Sequence, residues 1–212
     1  MYILNEHIAF PNPSEADEDG ILAIGGDLSP ERLILAYNNG IFPWYNEDEP
    51  LLWWSPDPRM VLIPSELRVS KSMKTILKRN VFQITYNTAF KDVIQNCAQI
   101  KRNGQADTWI TNDMTEAYIK LHEQGIATSV EVWQEGNLVG GLYGIDLKTQ
   151  KVFCGESMFS KVSNASKAAF ITLVTHLKTL DYKLIDCQMH TSHLESLGAY
   201  EIPREEFLNY LK

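Results

Sequence analysis

The sequence predicts an α+β fold in which a mixed, largely antiparallel sheet packs against a long helix. Two observations predict it. Three strand-like runs, Ser129–Trp133, Leu138–Leu147 and Val152–Met158, are separated only by short turns, which is typical of an antiparallel meander. A helical stretch from Asn164 to Leu180 and a strand, Lys183–Met189, come next, and a strand–helix–strand crossover favours a parallel pair.

The region between residue 61 and the meander alternates between strand-like and helix-like segments. Ser70 and Thr111 precede two of the helical stretches, as N-cap residues do, and Gly125 ends the second. The predicted elements are strands Val61–Ile63 and Val81–Tyr86, helices 71–79, Thr88–Ile100 and Thr111–Gly125, and a terminal helix 204–211.

The first 60 residues are rich in turns and predict a small, irregular N-terminal domain. One helix stands out in it, with Ser29 as N-cap, Pro30 at the first helical position and Gly40 as the stop. We therefore predict two domains, residues 1–60 and residues 61–212.

Composition excludes several classes of protein. The chain has 212 residues, 44% of them hydrophobic, and a formal net charge of −8, which is ordinary for a globular protein. No apolar run approaches the roughly 18 residues of a membrane span, and the N-terminus lacks a signal-peptide pattern. We therefore expect a cytoplasmic protein without a membrane partner. The three cysteines are too few and too scattered for a disulfide framework.

A basic segment interrupts this acidic chain. Residues 61–110 carry 8 basic and 3 acidic residues. Lys71, Lys74 and Lys78 fall on one helical face with Arg79 beside them, and no acidic residue interleaves them. Such a face is either simply solvated or a contact for a phosphate backbone, and the pattern alone supports both interpretations equally.

Polar residues inside the predicted strands mark a candidate site. Glu156 lies in a strand-like apolar run, and Asp186 and Gln188 share one face of the last long strand. Aspartate is unfavourable in strands, and a buried carboxylate needs a partner. The alternatives are a polar site, a buried network or groups exposed at the end or edge of the sheet.

Other chemistries find little support in the sequence. His190 and His193 are three residues apart, but a third ligand at suitable spacing is not evident, so we expect no metal. The sequence contains no G-x-S-x-G elbow, phosphate-binding loop or dinucleotide-binding glycine fingerprint.

Several long motifs, in order from about Ile8 to Leu211, resemble those of the bacterial leucyl/phenylalanyl-tRNA–protein transferase family. These motifs are Gly25–Ser29, Gly40–Trp44, Leu52–Arg59, Thr108–Thr111, Val139–Gly144, Phe153–Ser160, Asn164–Lys167 and Leu184–Gln188. Members of that family move leucine or phenylalanine from tRNA to the N-terminal α-amine of proteins that begin with Arg or Lys, which marks those proteins for N-degron degradation.

The resemblance implies a fold and a set of partners. The family has an acetyltransferase-like (GNAT) catalytic domain preceded by a small family-specific domain. The implied partners are aminoacyl-tRNA carrying Leu or Phe, with Met as a further candidate donor, and proteins with an N-terminal Arg or Lys. We expect no cofactor, because an aminoacyl ester is already activated.

The resemblance also implies site residues. An apolar pocket for the donor side chain corresponds to Trp44, Trp109, Leu142, Phe153 and Leu173. The tRNA-binding cluster corresponds to Lys71, Lys74, Lys78 and Arg79. The catalytic positions are Glu156, Asp186 and Gln188.

We assign roles to the three catalytic positions from their chemistry. Gln188, a neutral amide, orients and hydrogen-bonds. Asp186 accepts the proton of the attacking amine, directly or through water, or only polarises Gln188. Glu156 recognises or orients the acceptor.

Two other functions remain open from sequence. An acyl-CoA-dependent N-acetyltransferase shares the fold, but it needs a glycine-containing pyrophosphate loop that Phe159–Ser166 lacks. A non-catalytic adaptor would bind tRNA or N-degrons without transfer.

Overall fold

A computed structural model describes residues 1–100 and 109–212; Thr108, part of one motif above, lies outside the described residues. The predicted α+β class is confirmed, with one small and one large mixed sheet. The strands are Tyr2–Leu4 (β1), Ile21–Gly25 (β2), Phe42–Pro43 (β3), Leu52–Trp54 (β4), Arg59–Leu62 (β5), Gln83–Tyr86 (β6), Ala127–Gln134 (β7), Asn137–Leu147 (β8), Val152–Ser160 (β9), Leu184–Gln188 (β10) and Tyr200–Ile202 (β11). The helices are Pro30–Asn38 (α1), Lys71–Lys78 (α2), Phe90–Gln99 (α3), Asn112–Glu123 (α4), Ala165–Thr179 (α5), Ser192–Ser196 (α6) and Arg204–Asn209 (α7).

The N-terminal segment is more regular than the sequence predicted. Its strands form a four-stranded sheet in the order β1-β2-β4-β3, with β1 and β2 parallel and the other pairs antiparallel. The expectation of an irregular domain was therefore wrong. These strands are two to five residues long, too short to show an alternating pattern. Helix α1 is confirmed, with Ser29 as its N-cap.

The larger sheet has seven strands in the order β11-β5-β10-β9-β8-β7-β6. The meander β7-β8-β9 is antiparallel, and β10 lies parallel to β9 after the α5 crossover, as predicted. Strand β5 pairs antiparallel with β10 on its other side, and the short edge strand β11 was not predicted. The centre of the sheet therefore brings β5, β9 and β10 side by side.

The helix ends follow the predicted caps with one exception. The side chains of Ser70 and Thr111 accept backbone hydrogen bonds at the starts of α2 and α4. Helix α3 instead has Ala89 as N-cap, because the hydroxyl of Thr88 donates to the buried Glu131 carboxylate at 2.9 Å. A long-range contact thus displaces a local cap.

One hydrophobic core joins the two sheets. Trp53 and Tyr37 from the N-terminal segment belong to the same cluster of buried residues as Val61 and Tyr143 from the large sheet. A second cluster of buried residues lies between the large sheet and α5. No helix among the described residues is long and apolar enough to span a bilayer.

Helix α5 approaches the sheet closely at Gly140. A Cβ atom at this position would lie 2.6 Å from the Cβ of Ala165, whereas a Cβ at Gly155 would meet nothing nearer than a backbone oxygen at 3.6 Å. Gly140 therefore allows α5 to pack on β8, as glycine inside a strand often does.

We expect Gly140→Ala to destabilise the protein by about 1–3 kcal/mol, because the added methyl group overpacks the helix–sheet contact. Urea unfolding monitored by circular dichroism measures the change. Gly155→Ala, on the neighbouring strand, is the control and should lower the free energy of unfolding clearly less. Equal losses for the two variants would contradict this account of Gly140.

Candidate functional site

A cavity of about 580 Å³ opens beside the centre of the large sheet. One part of its lining is apolar and includes all five residues of the predicted donor pocket. They are Trp44, Trp109, Leu142, Phe153 and Leu173. Glu156, Asp186 and Gln188 lie along the same cavity. The structure therefore brings the predicted pocket and the predicted catalytic positions into one space.

The apolar part of the cavity is built by several elements. Leu142, Phe153 and Leu173 come from β8, β9 and α5 and are almost fully buried. Trp44 follows β3, and its ring lies 5.2 Å from that of Trp54. The indole Nε1 of Trp54 donates to the carbonyl oxygen of Trp44 at 2.6 Å, which fixes the backbone there. The cavity wall is thus held by the sheet and by the N-terminal segment together.

Glu156 is a buried carboxylate whose hydrogen-bond partners in the described part of the chain are uncharged. Its Oε1 accepts from Nε2 of Gln188 at 2.9 Å, and its Oε2 accepts from the hydroxyl of Tyr118 at 3.1 Å. The hydroxyl of Tyr37 is hydrogen-bonded to that of Tyr118 and belongs to the same network. Burial raises the pKa of Glu156 to about 7, against the opposing effect of these hydrogen bonds. Glu156 can therefore exchange a proton near neutral pH.

Asp186 is held by a buried arginine. Its Oδ1 accepts from Nε of Arg59 at 2.8 Å and its Oδ2 from Nη2 at 2.7 Å. Both side chains are 1% exposed. This is the bidentate geometry that makes arginine–carboxylate pairs strong and well oriented. A proton taken up by Asp186 would leave Arg59 as a buried cation without its counter-charge.

Gln188 occupies a bulge at the end of β10. The register with β5 shifts between Asp186 and Gln188, and Gln188 has a φ of 62°. Its backbone N–H donates to Oδ1 of Asp186 at 2.9 Å. The bulge interrupts the strict alternation expected for this strand and directs the Gln188 amide towards Glu156.

This geometry favours Glu156 over Asp186 as the group that takes a proton. Each oxygen of Asp186 already accepts from Arg59, whereas Oε1 of Glu156 accepts one hydrogen bond, from a neutral amide. Asp186 contacts Gln188 through the backbone N–H of Gln188.

Three residues of the site escaped the sequence analysis. Tyr37 and Tyr118 lie on helices and look like ordinary core residues, and no local pattern marks them. Arg59 ends a motif that carried the family resemblance, which was the one available signal. Its partner Asp186 is 127 positions away in sequence.

His190 and His193 lie in different surroundings. Nε2 of His190 lies 3.3 Å from Oε2 of Glu195, while Nε2 of His193 is buried beside the cavity. Burial lowers the pKa of His193 and so favours its neutral imidazole. Across residues 1–100 and 109–212, no cluster of three or more potential metal ligands occurs.

The predicted tRNA-binding cluster lies on the surface. Lys71, Lys74 and Lys78 are exposed on α2, and Arg79 is its exposed C-cap. No carboxylate in the described parts of the chain lies within ion-pair distance of any of the four. The helix therefore presents uncompensated positive charge to solvent.

Comparison with known proteins places the chain in one family. The sequence profile described as "Leucyl/phenylalanyl-tRNA protein transferase" matches residues 61–212, and the profile of that protein's N-terminal domain matches residues 26–57.

Three curated relatives match this chain over nine-tenths or more of their own length. A leucyl/phenylalanyl-tRNA–protein transferase of Flavobacterium johnsoniae is 66% identical over 212 residues, which is 100% of this chain and 99% of the relative. A transferase of the same name from Flavobacterium psychrophilum is 60% identical over the full length of both chains. One from Desulfatibacillum aliphaticivorans is 56% identical over 100% of this chain and 90% of its own.

The raised pKa of Glu156 makes stability depend on pH. The folded protein holds this proton more tightly than the unfolded chain, whose carboxyl has the ordinary pKa of 4.5. The free energy of unfolding therefore falls as pH rises from 4.5 through 7. Relative to Glu156→Gln, we expect the wild type to lose about 3 kcal/mol between pH 4.5 and 8. Urea titrations of both proteins across this range measure the difference, and parallel pH curves would contradict the assignment.

Proposed function

The chain belongs to the leucyl/phenylalanyl-tRNA protein transferase family, and from that premise we propose how its cavity transfers an aminoacyl group from tRNA to a protein N-terminus. The donor is leucine or phenylalanine, with methionine as a further candidate. The acceptor is the α-amine of a protein that begins with Arg or Lys, and the product is destined for N-degron degradation. One observation carries this proposal: a single cavity joins an apolar pocket to the hydrogen-bonded pair Glu156 and Gln188.

The fold of residues 61–212 is proposed to be acetyltransferase-like, and residues 1–60 to form the family's N-terminal domain. The order of an antiparallel meander, a crossover helix and a strand parallel to the meander's last strand supports the first proposal. The second proposal is supported by the separate four-stranded sheet, whose last strand along the chain, β4, ends at Trp54. The shared core explains why the N-terminal segment reaches the cavity through Trp44.

The donor side chain occupies the apolar part of the cavity. Burial of a leucine or phenylalanine side chain against Leu142, Phe153 and Leu173 is favourable. A charged side chain there would lose its hydration without a partner. Apolar pockets separate substrates that differ by one methylene by only about 1–3 kcal/mol, so a small set of apolar donors is expected.

The reaction needs no further activation of the acyl group. The acceptor nitrogen attacks the ester carbonyl carbon and a C–N bond forms. The bond from that carbon to the ribose oxygen then breaks. The ammonium proton of the attacking nitrogen passes to Glu156, and the departing ribose oxygen takes a proton from the Glu156 carboxyl or from water. A base with a pKa near 7 suits a reaction at neutral pH.

Gln188 and Asp186 orient this base. The Gln188 amide donates to Glu156, and Asp186 holds the Gln188 backbone through its N–H. Precise placement of reacting groups is itself a large contribution to rate. Asp186 thus acts without receiving the proton.

The cationic side chains of α2 and its C-cap, from Lys71, Lys74, Lys78 and Arg79, contact the phosphate backbone of the tRNA. Their exposure and the absence of carboxylates beside them among the described residues support this role. The acceptor's cationic side chain is favoured by the acidic character of the protein, which has a net charge of −8. Glu195 adds a carboxylate 3.3 Å from His190, a residue of the cavity lining. Charged tRNA is made in the cytoplasm, which is the expected location of the reaction.

A transfer assay tests the function directly. Leucyl-tRNA and a peptide beginning with Arg should give the N-terminally extended peptide without acetyl-CoA, and the same peptide beginning with Glu should react poorly. Acetylation by acetyl-CoA would support the acetyltransferase alternative, and binding without any product would support the adaptor.

Donor choice depends on the width of the pocket. Leu142→Ala removes side-chain volume from the wall of the donor pocket. We therefore expect the kcat/KM for phenylalanine transfer, divided by that for leucine transfer, to rise by about tenfold. Val139→Ala, on the same strand and outside the cavity lining, is the matched control. An unchanged ratio in Leu142→Ala would remove Leu142 from the donor pocket.

Electrostatic binding of tRNA depends on α2. Replacement of Lys71, Lys74, Lys78 and Arg79 by Ala should flatten the plot of log affinity against log salt by about 0.7–0.9 for each lost contact. Transfer from a small aminoacyl-adenosine should change little. The control carries four substitutions to Ala on other surfaces, at Lys120, Lys148, Lys178 and Lys183. Equal slopes for the two quadruple variants would refute a role for α2.

A further inference from the structure

We propose that Arg59 is a positioning residue of the transfer reaction: through Asp186 it holds Gln188 in the backbone conformation that directs the Gln188 amide to Glu156. This inference rests on the proposed transferase function. It adds to that function a residue remote from the substrate, and it makes the N-terminal segment and the C-terminal helix part of the positioning machinery.

Arg59 is fixed from several directions. Its guanidinium carbon lies 4.8 Å from the ring centre of Phe42 and 4.5 Å from that of Phe207. Its Nη1 donates to the carbonyl oxygen of Gly40 at 3.2 Å. Phe42 belongs to β3 and Phe207 to α7, so elements near both ends of the chain confine one side chain of β5. A planar, delocalised cation suits two aromatic contacts and a bidentate acceptor at once, which an ammonium group cannot match.

The confinement of Arg59 is passed on to Asp186. The two parallel hydrogen bonds from Nε and Nη2 define both the position and the plane of the carboxylate. Oδ1 of that carboxylate also accepts the backbone N–H of Gln188 at 2.9 Å. A rotation of the Asp186 carboxylate would therefore break the hydrogen bond that anchors the bulge.

Gln188 needs such an anchor. Its φ of 62° lies in the left-handed region, which a non-glycine residue adopts only when the surroundings compensate for it. In this conformation Nε2 donates to Oε1 of Glu156. A relaxed backbone would move the amide away from Glu156, and the carboxylate would lose a hydrogen bond that favours its ionised form.

The chain offers a matched control for a change at Arg59. Arg32 is also fully buried, pairs with Asp27 at 3.3 Å and donates to the carbonyl oxygens of Asn5 and His7. It does not line the cavity. Arg32→Lys therefore measures what it costs to replace a buried arginine in the N-terminal segment without disturbing Asp186.

The experiment compares Arg59→Lys, Arg32→Lys and the wild type. The pKa of Glu156 is followed by ¹³C NMR of labelled glutamate carboxyls, with Glu156→Gln for assignment, and single-turnover transfer from leucyl-tRNA is measured in parallel. In Arg59→Lys we expect the rate at saturating substrates to fall about 10²-fold, as a misplacement near 1 Å can cause. The pKa of Glu156 should rise above that of the wild type, while the affinity for tRNA stays unchanged. Arg32→Lys should keep the wild-type pKa even if its midpoint of unfolding is lower.

A double-mutant cycle with Gln188→Ala tests the route. If Arg59 acts through Gln188, Arg59→Lys should have much less effect in the Gln188→Ala background than in the wild type. Additive effects on the rate, or an unchanged Glu156 pKa in folded Arg59→Lys, would overturn the proposal and leave Arg59 with a purely structural role.

Two provisions keep the outcomes separate. If Arg59→Lys does not fold, Phe207→Leu replaces it in the experiment, because that change removes one aromatic contact of Arg59 and keeps the ion pair with Asp186. A rise in the Glu156 pKa smaller than the one expected for Arg59→Lys would then support the proposal. An unchanged pKa would overturn it. If the wild type transfers nothing, the proposed function fails, and the NMR titration still decides whether Arg59 controls the hydrogen bond at Glu156.

Discussion

The buried ion pair between Arg59 and Asp186 is the constraint on which the arrangement of the cavity depends. Burial of two charges is costly, and their attraction offsets that cost only when the geometry is good and the remaining hydrogen-bonding groups are satisfied. Here the Asp186 carboxylate accepts two hydrogen bonds from the Arg59 guanidinium and one from a backbone N–H. The guanidinium also donates to the carbonyl oxygen of Gly40 and lies near two aromatic rings. The pair thereby ties β5 to β10 and both to elements near the chain ends.

The ion pair also separates the roles of two nearby carboxylates. Asp186 has a full counter-charge in Arg59, whereas Glu156 accepts hydrogen bonds from uncharged groups, the Gln188 amide and the Tyr118 hydroxyl. Burial, together with repulsion from the Asp186 carboxylate, raises the pKa of Glu156 into the range where proton transfer is useful. In the proposed function, the apolar walls that bind the donor side chain therefore also raise the pKa of Glu156, because both effects come from the exclusion of water.

Local patterns predicted the elements but not the network between them. The caps at Ser29, Ser70 and Thr111 and the β7–β9 meander were recovered because each depends on a few adjacent residues. The four-stranded N-terminal sheet was missed because its strands are short and it forms by pairing distant segments. Glu156, Asp186 and Gln188 were singled out as polar residues in strands, but the contact that distinguishes the two carboxylates comes from Arg59, which is 127 positions from Asp186. The bulge at Gln188 has no local signature either, since glutamine is not a residue that favours positive φ.

The central claim is that Glu156 accepts the proton of the attacking amine, and the pH dependence of kcat/KM for the acceptor peptide tests it most directly. The free α-amine has a pKa of about 8 and Glu156 one of about 7, and both must be deprotonated. The account predicts that log kcat/KM of the wild type rises with a slope near two below about pH 7 and near one between about pH 7 and 8. In Glu156→Gln a slope near one should extend through the whole range below about pH 8, at a rate lower by about 10²–10⁴-fold. The same slope of one and a similar rate in both proteins would contradict the account.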